Sequence, residues 1–226
     1  MKKMLRLGFI SLVLLHLALG SASALEPQEV VARIQAQYDK SGGFRAWFRQ
    51  ESRLQGSNQG DVAEGWMHFK KPLKMRWQYE NPPAQKKEVI SDGQQVWMYL
   101  PQDQLAMVYP LNQVMRSDLV MRFFSGIGEI NEDFKISWLR PPREGSDYAI
   151  ELTPRQPQME LRALHLTIDP GSYQVKRLEF TNALGEETRF AFTRIQMDYQ
   201  AAPGFFTFTP PPGVQVVKES QAGKKP

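Results

Sequence analysis

Histidines and paired carboxylates are the first places to look for chemistry, and this chain offers few. It has three histidines, His16, His68 and His165. His16 lies in an apolar N-terminal run, and the other two fall in alternating segments with no HxH, HExxH or cysteine neighbour. A metal site needs several such ligands at fixed spacing, so none is expected. No GxSxG elbow or phosphate-cradling loop occurs. Gly126-Ile127-Gly128 is too short for such a loop and follows a helical pattern instead of opening one. The acidic residues scatter through turns and polar faces without a pair singled out by spacing. Catalytic residues are therefore expected to be none, metal none and cofactors none, although triads can assemble from distant positions.

The chemistry on offer is apolar. In Met75-Arg76-Trp77-Gln78-Tyr79-Glu80 the large apolar side chains Met75, Trp77 and Tyr79 alternate with charged or polar ones. Successive strand residues point to opposite faces, which predicts one greasy and one wet face. Val96, Met98 and Leu100 repeat the pattern after the Asp92-Gly93 turn signal. Leu105, Met107, Phe190 and Phe192 extend the same surface. Met and aromatic side chains adapt in shape and suit variable apolar guests.

The elements that must position these residues follow from periodicity. Glu26-Pro27 opens a helix with an apolar stripe of Val30, Val31, Ile34 and Tyr38, and Ser41-Gly42-Gly43 ends it. Phe44 to Leu54 reads as a strand, with further strands near 62–71, 74–80, 86–91, 95–100 and 104–109. Ser117-Asp118 resembles a cap for a short helix carrying Leu119, Met121, Phe123 and Phe124. Strands follow near 134–139, 147–153, 159–169, 174–182 and 187–199. The expected fold is mainly β (α+β): a single curved antiparallel sheet forming an unclosed half-barrel, covered by the N-terminal helix and the short mid-chain helical insertion. Such a sheet must close, pack or be plugged. With only two short helices available, either a hydrophobic cavity or an ordinary filled core results.

Lys2, Lys3 and Arg6 precede an apolar run from Leu7 to Leu19, and Ala22-Ser23-Ala24 is a small-residue cleavage site. This predicts a cleaved signal peptide over 1–24, since the run is shorter than the roughly 20 residues a span needs. One domain over 25–220 and a disordered tail over 221–226 complete the expected layout. Losing the leader leaves 25 basic against 24 acidic residues, so no nucleic-acid partner is expected. There is no cysteine. The fold must rest on its core without disulfides, and no lipid can be attached at a cleavage-site cysteine.

The segment Phe69-Lys70-Lys71-Pro72-Leu73-Lys74-Met75-Arg76-Trp77-Gln78-Tyr79, then Pro82, Ile90-Ser91-Asp92-Gly93 and Val96-Trp97-Met98-Tyr99, resembles the periplasmic outer-membrane lipoprotein carrier family, LolA. Phe48-Arg49-Gln50, Leu152-Thr153-Pro154 and Phe206-Thr207-Phe208-Thr209-Pro210-Pro211-Pro212-Gly213-Val214 support it, and the order agrees over 28 to 218. The resemblance implies a soluble periplasmic carrier that shelters lipoprotein acyl chains under a helical lid. Its partners would be lipoproteins, a LolCDE-type inner-membrane transporter and a LolB-type outer-membrane acceptor, and it would act as a monomer. The absent lipobox cysteine separates the chain from LolB.

The cavity positions would be Met75, Trp77, Tyr79, Met98, Leu100, Met107, Phe190 and Phe192. The lid positions would be Val30, Ile34, Tyr38, Met115, Leu119 and Phe123. Lys71 stands where the family usually has an arginine that latches the lid. Lysine lacks the planar fork that joins several carbonyls, so a looser latch is expected; a solvated strand-end charge is the alternative. Two other functions fit the same fold: carrying another amphiphile, such as a glycolipid or lipid-linked metabolite, or an RseB-like lipid- or peptide-sensing domain.

Overall fold

A computed structural model of the chain describes residues 25–54, 60–117, 130–157, 161–182 and 184–218. The expected signal peptide, the 221–226 tail and the expected lid positions Leu119 and Phe123 lie outside the described residues.

Twelve strands form one sheet: β1 (Gly43–Leu54), β2 (Gly60–Lys70), β3 (Lys74–Asn81), β4 (Lys87–Asp92), β5 (Gln95–Leu100), β6 (Leu105–Pro110), β7 (Phe134–Trp138), β8 (Tyr148–Pro154), β9 (Ala163–Ile168), β10 (Val175–Thr181), β11 (Glu186–Met197) and β12 (Gln215–Lys218). The spatial order is β12-β6-β5-β4-β3-β2-β1-β11-β10-β9-β8-β7, so the sheet has two ends that do not pair with each other. All neighbours are antiparallel except β12 against β6, which is parallel. The parallel pair departs from the all-antiparallel expectation. It arises because the chain crosses the sheet after β11 before adding its last strand, and such a crossover permits parallel entry.

The long helix α1 (Pro27–Lys40) carries the predicted stripe, with Val30, Val31, Ile34 and Tyr38 all buried. Proline in its first turn needs no partner for a missing N–H, and Glu29 and Lys40 suit the two ends of the helix dipole. Its stop differs in kind from the glycine cap that the sequence suggests. Ser41 is extended (φ −74°), and its buried hydroxyl bonds Gly43 O at 2.6 Å and accepts from Asp198 N at 3.1 Å. Gly43 is required for proximity, because a Cβ there would lie 2.5 Å from Phe69 O.

The mid-chain insertion is described in part, and the expected helix carrying Leu119, Met121, Phe123 and Phe124 lies outside the described residues. Helix α2 is Leu111–Ser117, so Ser117 is itself helical where the sequence suggests a cap. Leu111 N donates to Gln94 O at 3.0 Å, which starts the helix directly at the end of β6, and buried Leu111 anchors it. A second short helix, α3 (Ile130–Asp133), leads into β7.

Registers fix the faces. Met67, Trp77, Val89, Met98 and Met107 lie opposite one another across β2 to β6. Phe48 faces Phe192, Gln50 faces Phe190, and Phe190 faces Leu178, which faces Leu166. This is the inner face, on which α1 sits. Gly65 sits where the β2–β3 register slips by one residue. A Cβ there would fall 1.8 Å from Gln78 O, so the bulge requires glycine.

The outer face is not simply wet. Trp47, Trp66, His68, Ile90 and Trp97 share it, and residues 199–214 run across it as a strap. Phe205 packs on His68 (centroids 4.8 Å apart), Phe206 is buried, and Phe208 packs on Trp97 (5.4 Å) and Tyr99 (5.1 Å). Arg76 secures the strap by donating to Phe205 O at 2.8 Å while bonding Glu88 at 2.6 Å. The sheet therefore has a cover on each side.

Candidate functional site: an apolar inner face under a helix

Helix α1 crosses the inner face from β7 to the β2–β3 turn. At its start, Gln28 Nε2 donates to Ile136 O at 3.3 Å, and Arg33 bonds both Glu29 and Tyr173. At its end, Tyr38 meets Phe44 edge-on at 5.1 Å, and Phe44 stacks on Phe69 at 5.2 Å. Burial drives the Tyr38 hydroxyl pKa upward, opposed by a backbone hydrogen bond from Val175. Lys71 Nζ donates to Asp39 O and Asp39 Oδ1, each at 2.9 Å. Both acceptors belong to one residue in the last turn of α1. A compact ammonium reaches them as a point charge, without the bidentate geometry of a guanidinium.

The expected cavity residues divide by depth. Met75, Trp77, Phe190 and Phe192 are buried in one cluster with Val30, Ile34 and Tyr38. Trp77 lies 4.9 Å from Phe48, 5.6 Å from Phe190 and 6.2 Å from Phe69, ring to ring. Tyr79, Met98, Leu100 and Met107 are only half-buried, on the side of the sheet away from β7. Met115 belongs to α2, beside β5 and β6.

The far half of this face escaped the sequence reading. Ile150, Leu152, Leu164, Leu166 and Leu178 are all at most 2% exposed and share the cluster with Trp77. Their alternation within β8 and β9 was a usable signal of the same kind as that in β3.

A cavity beneath the end of α1, lined by Tyr38, Phe44, Phe69, Lys71 and Leu73, measures about 10 Å³, room for a water-sized guest. An acyl chain does not fit this cavity unless the side chains that line it move. Helix α1 buries Val30, Val31, Ile34 and Tyr38 in the same cluster as Trp77 without taking part in the sheet's strand pairing.

Two titratable groups stand out. On the outer face, His68 is 5% exposed between Tyr199 and Phe205, and its Nδ1 has no hydrogen-bond partner among the described residues. Burial, with Arg45 and Arg76 nearby, lowers its pKa to about 4, against a hydrogen bond to the Arg76 backbone. On the inner face, burial lowers the pKa of Lys87, opposed by Asp61. His165 pairs with Glu151 at 3.1 Å, and among the described residues no group of three potential ligands could hold a metal ion.

Comparison with known proteins agrees with this architecture. The profile of the family described as outer membrane lipoprotein carrier protein LolA matches residues 39–209. An outer-membrane lipoprotein carrier protein of Alkalilimnicola ehrlichii is 25% identical, over 95% of this chain and 96% of its own. One from Chromohalobacter salexigens is 27% identical, over 83% of this chain and 86% of its own. The crystal structure of a conserved protein from Thermus thermophilus shares the fold, with TM-score 0.55 at 13% identity, covering 85% of this chain and 98% of that one. With three-quarters of its length matched by the family profile and its strands in one unclosed sheet around a helix, the chain belongs to the LolA family of outer membrane lipoprotein carrier proteins.

Proposed function

We propose that the protein carries lipoproteins through the periplasm to the outer membrane, sheltering their acyl chains on the inner face of the sheet once α1 has moved aside. The observation that carries this reading is the cover itself. Among the described residues, the apolar face from Trp77 on β3 to Ile136 on β7 packs against α1, which is tied to the sheet by Gln28 on Ile136 O and by Lys71 on Asp39.

Each CH₂ withdrawn from water is worth about 0.8 kcal/mol, so a multi-acyl anchor needs a shelter to cross an aqueous space. A cavity kept permanently empty and apolar would be costly. Exchanging helix contacts for acyl contacts keeps the exposed apolar area nearly constant in both states. Loading and release can then both proceed at small net free energy. In this reading Val30, Ile34 and Tyr38 are lid residues, Lys71 is the latch, and Met75, Trp77, Tyr79, Met98, Leu100, Met107, Phe190 and Phe192 hold acyl chains. Met115, Leu119 and Phe123 would belong to the second part of the lid.

The leader over 1–24 would export the protein. An inner-membrane transporter of the LolCDE type would supply cargo, a LolB-type acceptor would receive it, and the carrier would travel as a monomer.

The test is binding of a fluorescent acyl probe to the wild type, Met98→Asp and Met107→Asp. These two residues face each other across β5 and β6 and are half-buried, so a carboxylate there can be solvated without unfolding the core. Trp77, buried among four aromatic rings, is a poorer choice. The expected result is loss of probe binding in both variants with an unchanged denaturation midpoint. Wild-type affinity in both would remove the inner face as the acyl site.

A further inference from the structure

The inner face changes character along its length. On β1 the inward residues run Phe44, Ala46, Phe48, then Gln50 and Ser52; on β11 they run Phe192, Phe190, then Thr188. Both strands turn polar at the same end, and β3 reaches that end at Tyr79. There the polar groups are joined. Tyr79 Oη donates to Gln50 Oε1 at 2.9 Å, and Gln50 Nε2 donates to Ser52 Oγ at 3.0 Å.

Lys87 stands directly opposite Tyr79 across β3 and β4, with its Nζ 4.4 Å from the Tyr79 ring centroid. The side chain is half-buried, and burial pulls its pKa down against Asp61. Its ammonium makes no hydrogen bond or ion pair with any described residue. An ammonium has three donors. The aromatic face satisfies its charge in part and none of its donors. On a half-buried lysine, donors that no protein acceptor engages are met by water, which a ligand oxygen can replace.

The neighbours of this cation specify the rest of the ligand. Trp77 and Val89 lie one step inward on the same face, followed across the sheet by Met98 and Met107. A molecule that meets both environments has an apolar tail and an acceptor oxygen at its head. We propose that Lys87, with Tyr79 and Gln50, forms a polar station that receives the carbonyl or carboxylate oxygen at the head of an acyl chain lying on Trp77, Met98 and Met107. The station rests on the acyl-carrier reading and adds a direction to it. Cargo lies with its head at the Lys87 end of the face and its tail across Trp77, Met98 and Met107. The same oxygen chemistry is offered by the ester of a diacylglyceryl group and by a free fatty acid.

The test compares the wild type, Lys87→Met and Lys87→Arg with three ligands: a long-chain fatty acid, a synthetic peptide with an N-terminal S-diacylglyceryl cysteine, and an alkyl-tailed fluorophore without a carbonyl. The quantity read is the affinity for each oxygen-bearing ligand relative to the carbonyl-free probe. Lys87→Met is expected to lower this ratio about tenfold, the loss of one charge-assisted hydrogen bond, and Lys87→Arg to restore most of it. A fall for the fatty acid alone identifies the source as a carboxylate; a fall for the peptide identifies an esterified chain. An unchanged ratio for both ligands overturns the station. Failure of the wild type to bind even the carbonyl-free probe would instead overturn the carrier reading.

Discussion

Lys71, at the β2–β3 turn, grips Asp39 twice, taking both its main-chain carbonyl and its carboxylate at 2.9 Å. The two residues are 38% and 63% exposed, so the ion pair is screened by water and contributes at most about 1 kcal/mol. A weak tie at the end of a helix fits the proposed displacement of α1.

Removing that tie should therefore change motion more than stability. Lys71→Ala is expected to leave the denaturation midpoint nearly unchanged while speeding amide hydrogen exchange in the last turn of α1 several-fold. Lys71→Arg, whose fork can reach more than one carbonyl, should slow it below the wild type. Equal exchange in all three proteins would deny Lys71 a latching role.

His68 predicts a pH dependence of stability. Its pKa is about 4 when folded, against 6.5 for a free histidine. Between these values the unfolded chain binds the proton more readily. Its contribution is thus complete above pH 6.5 and lost as pH falls toward 4. His68→Phe keeps a ring against Phe205 and cannot titrate, so its stability-against-pH curve should be flatter in that window. Denaturant midpoints at several pH values decide this, and an unchanged slope would place the titration elsewhere.

Arg76 holds the outer strap to the sheet. Arg76→Met would leave the half-buried Glu88 without its partner and the Phe205 carbonyl without its donor. The expected loss is about 2 kcal/mol, a typical value for hydrogen bonds to charged groups. Residues 199–214 should also become a site of limited proteolysis. Resistance equal to the wild type would show that Phe206 and Phe208 hold the strap unaided.

Gly65→Ala tests the bulge between β2 and β3. The new methyl group would fall 1.8 Å from Gln78 O, and main-chain atoms must give way. A loss of roughly 1–3 kcal/mol is expected in urea denaturation, with the backbone strain centred beside Tyr79. A neutral result would mean that the bulge can relocate.

Alternation in residues 74–80 and 95–100, and the stripe of Val30, Val31, Ile34 and Tyr38, determined the strands, the helix and which side chains share a face. Each is a period of two or about 3.6 residues, written locally into the chain and read without knowing any partner. The same local signal lay unused in Leu164, Leu166 and Ile168. Tertiary structure alone decided what lies over each face. Phe205 reaches Arg76 across 129 positions and Lys71 reaches Asp39 across 32. No period encodes such meetings, because they depend on how the sheet bends and where the chain crosses it. That is why the packing of Phe205 on His68 and of Phe208 on Trp97, and the burial of Trp77 beside half-exposure of Met98 and Met107, could be seen only once the strap and the helix were in place.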